Sequence, residues 1–246
     1  VGPEGAAPPL LVLAHGGPTA QARRQLQLGI LYWTSRGVAV VDVDNRGSTG
    51  YGRSYRGALN GTGGVAAVAV WVAAARYLAE RGDVDPDRLM IRGGSAGGFT
   101  VLSALAFHDV FAVGASRYGV ADLEALATDT HKFESRYLDT LVGPWPAAKA
   151  IYDERSPVNH VEKFSAPMIV LQGDEDAIVP PNQSEMIVEA LERQGIPVAY
   201  LLFEGEQHGF RKAENVIAAL EAELTFFGEM LGFVPADDLA PVDIRR

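Results

Sequence analysis

The sequence predicts an α/β fold in which a mostly parallel sheet carries helices on both faces. Six short apolar runs, near residues 10–14, 38–43, 88–92, 111–116, 167–172 and 198–203, have strand length, and helical patterns separate most of them. Strands alternating with helices are joined by crossovers, and crossovers make neighbouring strands parallel. The residues able to do acid–base chemistry follow the ends of these runs, which is the edge where open α/β sheets hold their ligands. A chain of 246 residues, 48% hydrophobic and 21% charged, is also long enough to bury one large core as a single domain.

Taken in order, residues 1–9 (VGPEGAAPP) are a Pro/Gly-rich linker. Leu10 to Ala14 is a buried-strand pattern running into the turn His15-Gly16-Gly17-Pro18. Val38 to Val43 follows, and then Asn45-Arg46-Gly47-Ser48-Thr49-Gly50-Tyr51-Gly52. Gly61-Thr62-Gly63-Gly64 has the composition of a phosphate-cradling loop, but no strand enters it at dinucleotide-fold spacing and no Lys-Ser/Thr follows, so nucleotide chemistry is set aside. Arg88 to Ile91 enters Gly93-Gly94-Ser95-Ala96-Gly97-Gly98, and the apolar run Phe99 to Phe107 leaves it. This reads as a nucleophile elbow, a serine on a sharp strand-to-helix turn. Glycines flank such a serine because its backbone is strained and a Cβ two residues to either side would strike the neighbouring strand or helix.

After the strand near 111–116, the stretch from Gly119 to Pro167 breaks the pattern. It holds His131 to Tyr137, Trp145 and Pro146, and reads as a surface excursion pinned by its aromatics; a wall for a substrate pocket is the alternative. Arg117 and Tyr118, at the end of a strand, are open between lining the site and a structural role. Pro167 to Gln172 is the next strand, ending in Gly173-Asp174-Glu175-Asp176-Ala177-Ile178-Val179-Pro180. Val198 to Phe203 is the last, followed by Glu204-Gly205-Glu206-Gln207-His208-Gly209-Phe210. In the final helix Val216, Ile217, Leu220, Leu224, Phe227 and Leu231 recur at helical steps while Glu221, Glu223 and Glu229 fall elsewhere, a packing helix with no chemistry assigned.

An elbow serine needs a base to take its proton and a carboxylate to hold that base, and α/β-hydrolases supply them in the chain order Ser, Asp, His. Ser95 is the nucleophile candidate. Of five histidines, only His208 follows a strand after the acidic loop, whereas His15, His108, His131 and His160 do not. Among Asp174, Glu175 and Asp176, spacing alone does not choose. The oxyanion of a tetrahedral intermediate needs N–H donors, each worth about 3 kcal/mol. Ala96, directly after the nucleophile, supplies one, and Gly17 in the His-Gly-Gly turn is chosen for the other, which leaves His15 as scaffold.

Together these segments resemble the catalytic domain of the prolyl oligopeptidase family of serine peptidases, in its acylaminoacyl-peptidase and dipeptidyl-aminopeptidase branch. The matching pieces are His15 to Pro18, Asn45 to Gly52, Asp85-Pro86-Asp87-Arg88, Gly93 to Gly98, the spacing Gly173-x-x-Asp176-x-x-Val179-Pro180, and Glu206 to Phe210. The resemblance implies an α/β-hydrolase fold, with residues 10–234 as catalytic domain, 235–246 as a C-terminal tail, and Asp176 as the carboxylate of the triad. It implies a serine peptidase acting on short peptides or acyl-peptides, with a carboxylesterase using the same triad as the alternative. The chain departs from the family pattern in two ways. Gly61 to Ala69 lacks the family's Trp-Gly and its acids, which removes polar anchors near the active face. Neither the hairpin that usually precedes Leu10 nor the branch's β-propeller has a counterpart here, so a fragment lacking its first strands is expected. A third reading follows, a catalytically silent fragment that needs those parts and self-associates as a homo-oligomer through its open sheet edge.

The remaining expectations are exclusions. A net charge of −10 argues against nucleic-acid and anionic-membrane partners. No apolar run reaches the roughly 18 residues a membrane helix needs, and no secretory signal pattern starts the chain. Neither a cofactor nor a metal is implied, since no His-Glu-x-x-His or other ligand spacing occurs. With no cysteine there is no disulfide or thiolate chemistry, which fits a cytoplasmic setting.

Overall fold

A computed structural model describes residues 5–129 and 136–246. Six parallel strands, β1 (Leu10–Ala14), β2 (Ala39–Asp42), β3 (Leu89–Gly94), β4 (Val113–Arg117), β5 (Met168–Gly173) and β6 (Val198–Phe203), form one sheet in the order β2-β1-β3-β4-β5-β6. Each strand lies where an apolar run predicts it. The order reverses between β1 and β3, and at such a switch point the two connections leave in opposite directions and open a crevice at the strands' carboxyl ends. His15-Gly16-Gly17 leaves β1, and Ser95 leaves β3, at that crevice.

Alternation along the strands divides the core into two layers. Leu10, Val12, Leu89 and Ile91 face one way, against α3 (Val65–Glu80), α4 (Ala96–Phe107) and α8 (Pro181–Arg193). Leu11, Met90, Ala115, Ile169 and Leu171 face the other way, against Trp33 of α1 (Leu28–Thr34) and Phe226 and Phe227 of α9 (Ala213–Leu231). This is the α/β-hydrolase arrangement, with helices on both faces of a parallel sheet.

The phase of α9 departs from the sequence expectation. Its buried face runs through Ala219, Ala222, Glu223, Leu224, Phe226 and Phe227, while Ile217 is 54% exposed. Glu223 is therefore inside, because two arginines of the sheet meet it there. The N-terminal stretch is also tied down beyond what a linker requires. The Pro8 and Pro9 carbonyls accept from Asp85 and Ala39 amides at 2.9 Å, and Ala7 accepts from Arg88. At the other end, Arg245 pairs its backbone antiparallel to Val198 of β6, and Arg36 holds Asp237 at 2.6 Å.

Between β4 and β5 lie α5 (Leu123–Asp129), α6 (Tyr137–Leu141), α7 (Lys149–Arg155) and a 3-10 helix (Pro157–Lys163). His131 to Ser135 lie outside the described residues, as do Val1 to Glu4 of the linker. The glycine stretch before α3, expected to lack anchors, has others. The Gly61 and Gly63 amides donate to the Thr140 and Leu141 carbonyls of α6, and Arg155 Nη1 donates to the Gly61 and Gly63 carbonyls at 3.1 and 2.9 Å. A guanidinium from α7 thus anchors this stretch. No described helix is long and apolar enough to cross a membrane.

Candidate active site

Ser95 joins β3 to α4 with φ 58° and ψ −122°, a backbone conformation that L-residues rarely adopt. Its neighbours explain how the strain is held. A Cβ added at Gly97 would lie on the Ala14 carbonyl oxygen, one at Gly93 would strike the Gly97 carbonyl, and one at Gly98 would fall 2.5 Å from Gly119 Cα. Only glycine lets β3, the elbow and α4 close on β1 and on the chain after β4. The Ser95 amide donates to the Arg117 carbonyl at 3.0 Å, so β4 anchors the elbow from the side.

From Ser95 a line of hydrogen bonds runs across the carboxyl ends of three strands. The hydroxyl donates to His208 Nε2 at 2.8 Å, and His208 Nδ1 donates to Asp176 Oδ2 at 2.8 Å. Asp176 is buried, and its other oxygen accepts the Ile178 and Val179 amides, both at 2.9 Å. Gln172 Nε2 approaches Oδ2 at 3.3 Å. A carboxylate with every lone pair engaged holds one orientation, and with it one tautomer of the imidazole. Asp174 and Glu175 are exposed instead, and Asp174 accepts the Gly205 amide at 2.7 Å as a turn residue.

The histidine loop has its own carboxylate. Glu206 is 2% exposed, and its oxygens accept the Arg211 and Lys212 amides and Asn215 Nδ2. Burial alone raises its pKa, yet these donors outweigh that and hold the carboxyl below the usual range. The Glu206 and Gln207 carbonyls press on Gly173 so closely that a Cβ there has no room, which locks the loop onto the end of β5. Tyr118, at φ 39°, sets its ring edge-on to His208 with centroids 5.0 Å apart.

The other histidines are engaged elsewhere. His15 lies 2.8 Å from both the Gly16 carbonyl and Ser48 Oγ, which in turn lies 2.8 Å from Asn45 Oδ1. It thus braces the turn that carries Gly17. Burial lowers the pKa of His108 at the end of α4, His160 contacts the Glu154 carbonyl, and His131 lies outside the described residues. Gly17, at φ 122°, and Ala96 both border the cavity that Ser95 and His208 face, and neither backbone amide has a hydrogen-bond partner among the described residues.

That cavity measures about 560 Å³. Beyond the polar group its walls are Phe99, Leu123, Leu126, Tyr137, Leu138, Leu141 and Val142, and among the described residues none that lines it is Asp, Glu, Lys or Arg. The excursion after β4, expected at the surface, therefore forms one wall through α5 and α6. Tyr137 ties this wall across the mouth by a 2.8 Å hydrogen bond to Thr19, while Trp145 packs on Tyr152 outside the cavity.

Beneath the elbow, on the α9 side of the sheet, lies a feature that sequence reasoning missed. Glu223 is fully buried and accepts from Arg117 Nε and Nη2 at 2.6 and 2.8 Å and from Arg92 Nε at 3.1 Å. Burial raises its pKa, but the two guanidiniums outweigh burial and keep the carboxylate charged. The signal was present in two arginines closing otherwise apolar strands opposite one glutamate in an otherwise apolar helix face. The Arg117 side chain thereby ties β4 to α9, while its carbonyl holds Ser95.

Comparison with known proteins adds the lineage. The sequence model of the prolyl oligopeptidase family matches residues 24–233. Dipeptidyl aminopeptidase BIII of Pseudoxanthomonas mexicana is 32% identical over 231 residues, 91% of this chain and 33% of that protein. The acylamino-acid-releasing enzyme of Arabidopsis thaliana is 28% identical across 81% of this chain and 27% of its own length. A puromycin-hydrolysing peptidase of Mycobacterium tuberculosis superposes with a TM-score of 0.96 at 49% identity, over 99% of this chain and 37% of that one. The chain thus spans about a third of the length of these relatives.

Proposed function

The chain belongs to the prolyl oligopeptidase family, and on that premise we propose that it is the catalytic portion of a serine peptidase that cleaves short peptides or aminoacyl amides through an acyl-enzyme. The observation that carries this reading is the line Ser95–His208–Asp176, with both hydrogen bonds at 2.8 Å. Ser95 Oγ attacks the scissile carbonyl carbon as His208 Nε2 takes its proton, and Asp176 stabilises the imidazolium without itself being protonated. The carbonyl oxygen, now an oxyanion, turns toward the Gly17 and Ala96 amides, whose want of another partner supports that role. His208 then gives the proton to the leaving nitrogen, and the C–N bond breaks to leave an ester on Ser95. Water enters, loses a proton to His208, attacks the ester and releases the acid, and Ser95 recovers its proton.

The wall of the cavity, apolar and without charge among the described residues, supports an acyl residue with a bulky uncharged side chain. Puromycin, an aromatic aminoacyl amide, is a first substrate to try, because the Mycobacterium tuberculosis relative is described as hydrolysing it.

The test is intact mass after incubation with a fluorophosphonate, beside Ser95→Ala and His208→Ala. One adduct on the parent, none on Ser95→Ala and a strongly slowed reaction in His208→Ala are expected. A folded parent that takes no adduct overturns the reading and leaves a silent fragment. Matched amide and ester substrates then separate peptidase from carboxylesterase, since amide turnover at background level would leave only the latter.

A further inference from the structure

The Arg92–Glu223–Arg117 cluster has one charge too many. Two guanidiniums share a single carboxylate, and Glu223 spends both oxygens on Arg117 before it also meets Arg92. Both Nη atoms of Arg92 and Nη1 of Arg117 have no hydrogen-bond partner among the described residues. The side chains as a whole are only 18% and 11% exposed. Both arginines border a second cavity of about 290 Å³ on the α9 side of the elbow. Its far wall carries Asp42, which sits in register with Arg92 on the other side of Leu13. Burial raises the pKa of Asp42, against the lowering pull of a Gln27 hydrogen bond and of His15. The mouth holds the exposed Arg23, a further positive charge on the way in.

We propose that this second cavity is an anion site, in which Arg92 and Arg117 bind a carboxylate or phosphate oxygen pair with the guanidinium edges that Glu223 leaves free. A planar fork of N–H donors meeting two oxygens is the geometry in which arginine binds carboxylate and phosphate most strongly. The anion has two sources. One is a free small anion in solution. The other is the C-terminal carboxylate of a peptide lying across the crevice, because His15, Gly94 and Tyr118 border both cavities.

The first arm of the test needs no catalysis, so its failure is distinct from failure of the peptidase reading. Thermal unfolding of the protein is followed while inorganic phosphate, and separately acetate, is titrated at constant ionic strength, in the parent and in Arg92→Gln. That variant keeps the two-point Arg117–Glu223 pair and removes only the surplus charge, so it is expected to fold. The parent is expected to show a saturable rise in Tm, and Arg92→Gln none. No saturable rise in the parent with either anion, or an equal rise in the variant, overturns the site.

The second arm rests on the peptidase reading and compares KM for short peptides with free and amidated C-termini. If the peptide supplies the anion, Arg92→Gln raises KM at least tenfold for free-carboxylate peptides only, and phosphate competes with them. If the anion is free, KM changes equally for both, and phosphate raises Tm without competing.

Discussion

At the residue scale the proposed acyl transfer depends on keeping an imidazole in one tautomer. Asp176 does this with an oxygen that has little freedom to move, since its partner oxygen is fixed by the Ile178 and Val179 amides. Asp176→Asn retains the shape but offers His208 Nδ1 an NH2 or a neutral carbonyl, which removes both the charge that steadies the imidazolium and the preference for the reactive tautomer. A fall of about 10⁴-fold in kcat with KM little changed is expected, on the scale of the same substitution in other triads. Steady-state kinetics on a peptide amide checks it, and a loss below tenfold would show that Asp176 is not the orienting carboxylate. The sequence pointed to His208 by strand order alone, yet among three adjacent acids only family resemblance chose Asp176. The physical reason is visible now. Which of the three turns inward is set by where the Val179 and Ile178 amides end up after the turn, and no residue-by-residue property encodes that.

At the scale of elements, α9 secures the sheet under the elbow. Its Glu223 joins β3 to β4 through Arg92 and Arg117, and β4 in turn holds the Ser95 amide. Glu223→Gln leaves two buried guanidiniums without a counter-charge, at a cost of about 3–5 kcal/mol, whereas exposed pairs such as Arg245–Glu192 contribute about 0–1 kcal/mol. The pH dependence has a definite sign. The folded-state pKa of Glu223 is depressed, so its contribution is complete above the unfolded glutamate value near about 4.3 and is lost as pH falls through the lower folded value. Urea unfolding of parent and variant is expected to show a large stability difference at neutral pH that narrows only in strong acid. A constant gap across that range would count against the carboxylate charge as its source. Periodicity assigned Glu223 to the solvent side because a charge inside a helix–sheet interface is recognisable only once its partners two strands apart are known.

For the molecule as a whole, the sheet was legible because each strand is a local apolar run, and the crevice followed because short connections between parallel strands leave few topologies. The cavity was not legible, since its wall comes from α5 and α6, whose apolar residues are too short a series to show which way they face. Tyr137, Leu138, Leu141 and Val142 face inward because α6 is pinned to the Gly61–Gly63 backbone and, through Tyr137, to Thr19. Under the proposed peptidase reading, that placement makes acyl-side selectivity a property of the inserted helices and leaves the chemistry to the strand ends. Leu138→Trp, which narrows the cavity without touching Ser95, His208 or Asp176, separates the two. For phenylalanyl amides kcat/KM is expected to fall at least about tenfold, the scale on which a pocket discriminates small differences in apolar bulk. Alanyl amides and fluorophosphonate labelling are expected to change little, because a small acyl group does not reach that wall. Equal losses on both substrates would mean that α6 supports the elbow and does not select the substrate, and the apolar cavity would then have to be read as packing space. A selective loss would locate specificity in α5 and α6, a segment whose path the strand pattern does not dictate.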